Sequence, residues 1–161
     1  MKYFTEELWS KFNSGDPQIS NEADIQWQAN AKAYQEMFKS LGNRFSKKTF
    51  ELLSKNSFHD LQLVNLQIIH GRYGLEYPVS VILSIGNREK LWHLQYKKVM
   101  KLQIDYEPEN FVEGRGFHDW GYDEFIAIDD DALSHEILFA SGAKILIYFI
   151  NKGLSIKMGR N

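Results

Sequence analysis

With 161 residues, 43% of them hydrophobic, the chain is long enough for one self-supporting domain, since a chain of about 150 residues buries roughly 70% of its unfolded surface. The absence of cysteine excludes disulfides, thiolate nucleophiles and Cys-ligated zinc or iron–sulfur centres together. A net charge of −2 and a pI near 6.2, with basic residues only in short interrupted groups such as Lys47-Lys48, Arg88-Glu89-Lys90 and Lys97-Lys98, argue against nucleic acid as a partner.

The opening Met1-Lys2-Tyr3-Phe4-Thr5-Glu6-Glu7 runs into charge without an apolar signal core. The longest uninterrupted apolar run, Ile145 to Ile150, is far short of the ~20 residues a membrane span needs. The expectation is a cytoplasmic protein with no membrane partner. Phe4, Leu8 and Phe12 recur every fourth residue with Trp9 beside them, which predicts a first helix ended by Asn13-Ser14-Gly15-Asp16-Pro17. Ser20 is the expected N-cap of a second helix, in which Trp27, Ala31, Tyr34, Phe38 and Leu41 form one aromatic-rich face before Gly42 stops it. A third helix is expected from Ser46, where Phe45 and Phe50 stand as a hydrophobic staple, to about Lys55-Asn56. These stripes are read as core-facing.

From residue 57 the hydrophobic period changes from helical to two. Leu61 and Leu63, then Val64, Leu66 and Ile68, predict a strand with a bulge at Leu63-Val64. Val79, Val81, Leu83 and Ile85 predict a second strand closed by Gly86-Asn87. Trp92, Leu94, Tyr96, Met100, Leu102, Ile104 and Tyr106 share one phase, which predicts a long strand, or two broken near Lys97-Lys98, dry on one face. Glu107 to Gly121 loses periodicity and reads as a long acidic loop of the kind that is more often functional than accidental. Tyr122 to Ile128 returns to strand and Asp129-Asp130-Asp131 makes a turn. His135 to Met158, cut by Ser141-Gly142 and Asn151-Lys152-Gly153, reads as three hairpin-linked strands, the middle one apolar in both phases.

The fold predicted is one α+β domain over residues 1–161. A helical part, 1–56, packs on an antiparallel meander of about six to eight strands, 57–161.

Two tripeptides match, Phe58-His59-Asp60 and Phe117-His118-Asp119. As chemistry, His59, Asp60, His118 and Asp119 could hold a metal ion or serve as acid and base in a metal-dependent hydrolase. As structure, each Phe enters the core while Asp or His satisfies backbone groups where a strand begins. His135, in phase with Leu133, Ile137 and Phe139, is expected to be a hydrogen-bonded core histidine. The Asp129–Asp131 run lacks the glycine and terminal glutamate of an EF-hand, Gly114-Arg115-Gly116 is no dinucleotide fingerprint, and no serine sits in a nucleophile elbow. No cofactor is implied.

The charge is unevenly distributed. Asp105 to Glu136 holds eleven acidic residues against one basic, Arg115. Glu107, Glu109, Glu113, Asp129, Asp130 and Asp131 are therefore the candidate contacts for a basic protein partner, because complementary fields steer encounter. The alternative, that these carboxylates only keep the surface soluble, stands beside it. A third reading places a small ligand in a pocket between helices and sheet lined by Trp27, Tyr34 or Trp92.

The opening Met1–Trp9, the block Trp120-Gly121-Tyr122-Asp123-Glu124-Phe125, and His135-Glu136-Ile137-Leu138-Phe139 before Gly142 resemble an uncharacterised family of small bacterial proteins. Phe58-His59-Asp60 leading into a strand is similar to the start of the β-half in several bacterial toxin-immunity families. The resemblance implies a bacterial, cytoplasmic protein of α+β fold with no catalytic residues to transfer. The expected function is a non-enzymatic protein-binding module, of immunity type, using an acidic surface. The alternative is a metal-binding protein built on the two His-Asp pairs.

Overall fold

A computed structural model of the chain describes residues 1–107 and 116–159. Three helices come first: α1 (Glu6–Phe12), α2 (Pro17–Ser40) and, after a turn of 3-10 helix at Gly42–Arg44, α3 (Lys47–Lys55). Eight strands follow: β1 (Gln62–His70), β2 (Val79–Gly86), β3 (Leu91–Tyr96), β4 (Val99–Asp105), β5 (Trp120–Ala127), β6 (Ala132–Phe139), β7 (Lys144–Ile150) and β8 (Leu154–Met158). The α+β arrangement predicted from the hydrophobic period is the one observed. No described helix is long and apolar enough to cross a membrane.

The start of α2 differs from the expectation. Asp16, not Ser20, is its N-cap, with a carboxylate oxygen that accepts from Gln18 N–H (2.8 Å) and Ile19 N–H (3.2 Å). Pro17 occupies the first helical position, where its missing N–H costs nothing and its fixed φ suits the helix. The Asp-Pro pair that reads as a breaker is therefore a helix start. Ser20 instead donates its hydroxyl to the Phe12 carbonyl (2.8 Å), joining α2 to the end of α1. Ser46 does cap α3, accepting from Thr49 N–H.

The strands form two antiparallel sheets, β1-β2-β3-β8 and β4-β7-β6-β5, joined at two corners. At one, β3 bends into β4 at Lys97-Lys98 while β7 bends into β8 at Asn151–Gly153. Pairing continues through the bend, from Trp92↔Met158 to Tyr96↔Leu154, through Lys97 N–H to the Gly153 carbonyl (2.9 Å), and on from Val99↔Phe149 to Asp105↔Lys144. Gly153 fits only without a side chain, because a Cβ there would lie 2.8 Å from two carbonyl oxygens, those of Lys97 and Ile150. At the other corner the entry to β1 pairs with the entry to β5. Asp60 N–H donates to the Trp120 carbonyl (3.0 Å), Trp120 N–H to Leu61 (2.7 Å) and Leu63 N–H to Phe117 (3.0 Å). The result is a barrel-like double sheet.

Bulges decide which residues face inward. The predicted one in β1 lies between Leu63 and Asn65. The chain breaks into two strands at Lys97-Lys98, one of the two expected forms, and a second bulge at the start of β4 puts Val99 in the core and turns Met100 outward, so Met100 leaves the phase it was expected to share with Tyr96. A third, at Gly121, leaves Trp120 inward but switches the phase beyond it, so Asp123 and Phe125 face the core while Tyr122 and Glu124 face out. The extra residue of a bulge moves every following side chain to the other face.

Val81, Leu83, Leu94 and Tyr96 of the first sheet meet Leu133, Ile137, Ile145, Ile147 and Phe149 of the second, all fully buried. The outer phase of β7, Leu146, Tyr148 and Ile150, is half-buried. The helices close the gap between the free edges of β5 and β8. Tyr34 of α2 accepts the Phe125 N–H of β5 (2.8 Å), and Thr49 of α3 donates to the Leu154 carbonyl of β8 (3.1 Å). Phe38, Phe45 and Phe50 pack between these contacts, with the edge of Phe45 on Phe125 at 5.3 Å. Covering edge strands this way satisfies groups that would otherwise recruit another chain.

Candidate functional site

The N-terminal segment is fixed by Glu124, a buried residue on the outer phase of β5. Its carboxylate accepts the backbone N–H groups of Lys2 (2.7 Å), Tyr3 (2.6 Å) and Phe4 (2.6 Å). Phe4 thereby stacks on Tyr122 (5.2 Å) and leans on Trp27 and Tyr34. A cavity of about 560 Å³ lies between α2, the end of α3 and β5. It is walled by the rings of Phe4, Trp27, Tyr34, Phe38, Phe58 and Phe125, with Gln35, Lys39, Ser54, Asn56 and Ser57 supplying polar groups. Of the pocket aromatics expected from sequence, Trp27 and Tyr34 line it. Trp92 does not, being buried in the core against Phe58.

Among the described residues, the one carboxylate lining this cavity belongs to Asp123. Its Oδ1 accepts from Trp120 Nε1 (2.9 Å) and its Oδ2 lies 3.0 Å from His135 Nε2. His135 is fully buried, stacked on Phe125 at 3.8 Å, and its Nδ1 lies 2.6 Å from the Tyr96 hydroxyl. Burial, reinforced by the Asp123 charge, pushes the Tyr96 phenol well above its usual range. The phenol keeps its proton and donates it to Nδ1. The imidazole then carries its proton on Nε2 and donates to Asp123. Tyr34 is raised in the same way, mainly by burial and next by Asp123.

The direction of this Tyr96–His135–Asp123 chain limits its chemistry. In a catalytic relay the carboxylate is buried and the far end presents a base or nucleophile to substrate. Here the far end, Tyr96, is sealed in the core and only the carboxylate meets the cavity. The chain fixes the orientation of the Asp123 carboxylate at the cavity and ends, on its other side, in a fully buried phenol.

The expectation that His135 is a hydrogen-bonded core residue is met. The sequence does not single out Asp123, because the bulge at Gly121 conceals its inward phase. The signal available was His135 itself, which needs a partner on a neighbouring strand.

The two Phe-His-Asp tripeptides lie side by side at the β1/β5 corner. Asp60 and Asp119 both take a left-handed backbone conformation (φ 65° and 56°) as the chain turns into each strand. Phe58 is buried, and Phe117 packs edge-on against Phe139 at 5.2 Å. His59 Nδ1 pairs with the adjacent Asp60 (2.9 Å), both largely exposed, and His118 is exposed. Among the described residues no group of three or more His, Asp and Glu side chains is placed to hold a metal ion. The metal reading of His59, Asp60, His118 and Asp119 therefore has no ligand cluster to rest on there, whereas the structural role of each Phe is evident.

Among the described residues, Glu107 and the Asp129–Asp131 turn lie at opposite ends of β7. Glu109 and Glu113 lie outside those residues. Glu107 follows Asp105, which pairs with Lys144 at one end of β7. The Asp129–Asp131 turn adjoins Ala132, which pairs with Ile150 at the other end. Six strand steps, roughly 20 Å, separate them. Asp129 spends its carboxylate on the turn, accepting from Asp131 N–H and Ala132 N–H (2.8 Å each), and its carbonyl accepts from Arg44. Beside the turn, Glu76, Asp129 and Asp131 rim a hollow of about 450 Å³ whose apolar lining includes Met100 and Ile150.

No protein-family model matches this chain, and neither does any curated protein. The residues and their geometry alone carry the functional reading.

Proposed function

We propose that the protein is a non-catalytic binding module that takes a small, largely apolar molecule into the cavity between α2, α3 and β5. The observation that carries this reading is the pairing of six aromatic walls with a single oriented carboxylate, the usual composition of a pocket that buries an apolar body and fixes one polar group. A carboxylate has about four acceptor positions. Trp120 and His135 use one on each oxygen of Asp123, which leaves room for an amine or hydroxyl of the ligand. An ammonium group would also gain from the surrounding rings.

A ligand-observed NMR screen of small aromatic amines and alcohols tests this. Hits are expected to quench Trp27 fluorescence and to lose binding by about tenfold or more in Ala31→Trp, which fills the cavity from α2. Hits that bind Ala31→Trp as well as the parent, or a library without hits, would remove the reading.

A second reading, engagement of a basic protein partner, is favoured by the hollow at Glu76, Asp129 and Asp131. Its charged rim and apolar floor suit a lysine or arginine side chain, whose stem is apolar and whose head is cationic. An immunity-type role, with a toxin as the basic partner, is the instance that the Phe58-His59-Asp60 resemblance adds. Binding of an oligolysine peptide is expected to fall about fivefold in Glu76→Gln/Asp131→Asn and to weaken with salt. Asp129 is left intact there because it holds the turn. Equal binding by parent and variant would count against this surface.

A further inference from the structure

The outer face of the first sheet is not used by either reading. Alternation along its strands turns Gln67 of β1, Ser84 of β2, His93 and Gln95 of β3, and Ser155 and Lys157 of β8 to one side, where they line a hollow of about 240 Å³. The register places them in two adjacent rows: Ser84↔His93↔Lys157 in one, and Gln95↔Ser155 with Gln67 two strands away in the other. Residues directly opposite on neighbouring antiparallel strands have Cβ atoms about 5 Å apart, so these six side chains converge.

None of the four strands contains an aspartate or glutamate, and among the described residues Lys157 makes no ion pair. The hollow therefore holds a cation and several neutral hydrogen-bonding groups with no anion of its own. Ser84 is buried at its base and lies 2.9 Å from His93 Nδ1. When the Ser84 hydroxyl donates to Nδ1, the imidazole proton sits on Nε2. Gly159, just past β8, lies beside Nε2, where any side chain would crowd the imidazole, since a Cβ there would come 2.7 Å from that nitrogen.

We propose that this face binds the phosphoryl group of a small phosphate monoester, held by Lys157 with His93 and Gln95, while Ser84 orients the His93 imidazole. A tetrahedral oxyanion offers several acceptors in different directions and matches donors that reach it from two neighbouring strands, β3 and β8, whereas a planar carboxylate presents its acceptors in one plane. Ile82, which also lines the hollow, gives the ester's organic group an apolar surface. Lysine serves such sites as a point charge.

The test is a ¹H–¹⁵N NMR titration of the full chain with inorganic phosphate, phenyl phosphate and acetate at constant ionic strength. Saturable shifts are expected at Ser84, His93, Gln95, Ser155 and Lys157, tighter for phenyl phosphate than for phosphate, and weakest for acetate. Lys157→Gln is expected to weaken binding about tenfold and His93→Gln about threefold to tenfold. Lys101→Gln, which removes the same charge from the second sheet, should change nothing. Lys157 is exposed, so its variant keeps the fold, and its spectrum verifies this. Shifts that follow every lysine without saturating, or binding unchanged in Lys157→Gln, would overturn the proposal.

Discussion

His135→Ala is expected to lower the unfolding free energy by about 4 kcal/mol, read as a fall in the urea midpoint at unchanged m. Three losses combine. The imidazole leaves a cavity where the surroundings are already close-packed, a change that costs about 3–5 kcal/mol for large buried rings. The Phe125 stack is lost. The Tyr96 hydroxyl, fully buried, is left without its partner, which costs about 1–3 kcal/mol. Partial collapse of the site keeps the total below the sum. Tyr96→Phe on the His135→Ala background removes the orphaned hydroxyl and should recover about 1 kcal/mol, a coupling that a double-mutant cycle resolves. A loss under 1 kcal/mol in His135→Ala would mean that the chain from Tyr96 to Asp123 is not held as described. Because Asp123 is positioned by His135, the same variant should weaken any cavity ligand whose amine or hydroxyl contacts that carboxylate.

Glu124→Ala is expected to cost about 3 kcal/mol and to release the N-terminal segment. The carboxylate is the acceptor for three consecutive backbone N–H groups, that of Phe4 buried and those of Lys2 and Tyr3 part-buried, and each such charge-assisted bond lost costs about 1 kcal/mol. Glu124→Gln keeps one acceptor oxygen and should lose roughly half as much. Hydrogen exchange at Tyr3 and Phe4 is the direct measurement, with protection expected to drop at least tenfold in Glu124→Ala. Unchanged protection would show that the segment is held by its aromatic contacts alone. Phe4 is one wall of the cavity, so cavity affinity should fall in parallel.

Much of the fold was legible because two periodicities are hard to confuse. The aromatic face of α2 repeats at helical spacing, and the alternation of Val79 to Ile85 belongs to strands. The bulge beside Leu63 was legible too, since the apolar phase visibly slips there. The bulges at Met100 and Gly121 were not, because each falls where both phases carry acceptable residues. Trp120, Tyr122 and Glu124 look like one face until the inserted Gly121 is seen. That single residue hides Asp123 from a reading of the sequence and hides equally that Glu124 lies outward, free to bind the N-terminal segment. The Asp16-Pro17 pair misleads for another reason: proline ends a helix from inside but begins one at its first position.

The sequence by itself determined the order of helices and strands, the absence of cysteine chemistry, the burial of His135 and the concentration of acidic residues between Asp105 and Glu136. Those properties follow from local period and composition, which need no knowledge of what lies opposite. Tertiary structure alone decided that Asp123 meets His135, that Glu107 stands roughly 20 Å from the Asp129–Asp131 turn, and that one sheet is built from four strands that all lack a carboxylate. Each depends on strand register and on corners where the chain bends, set by pairing between segments distant in sequence. Charge gathered along a chain stays together in space only where the chain does not run from one end of a sheet to the other.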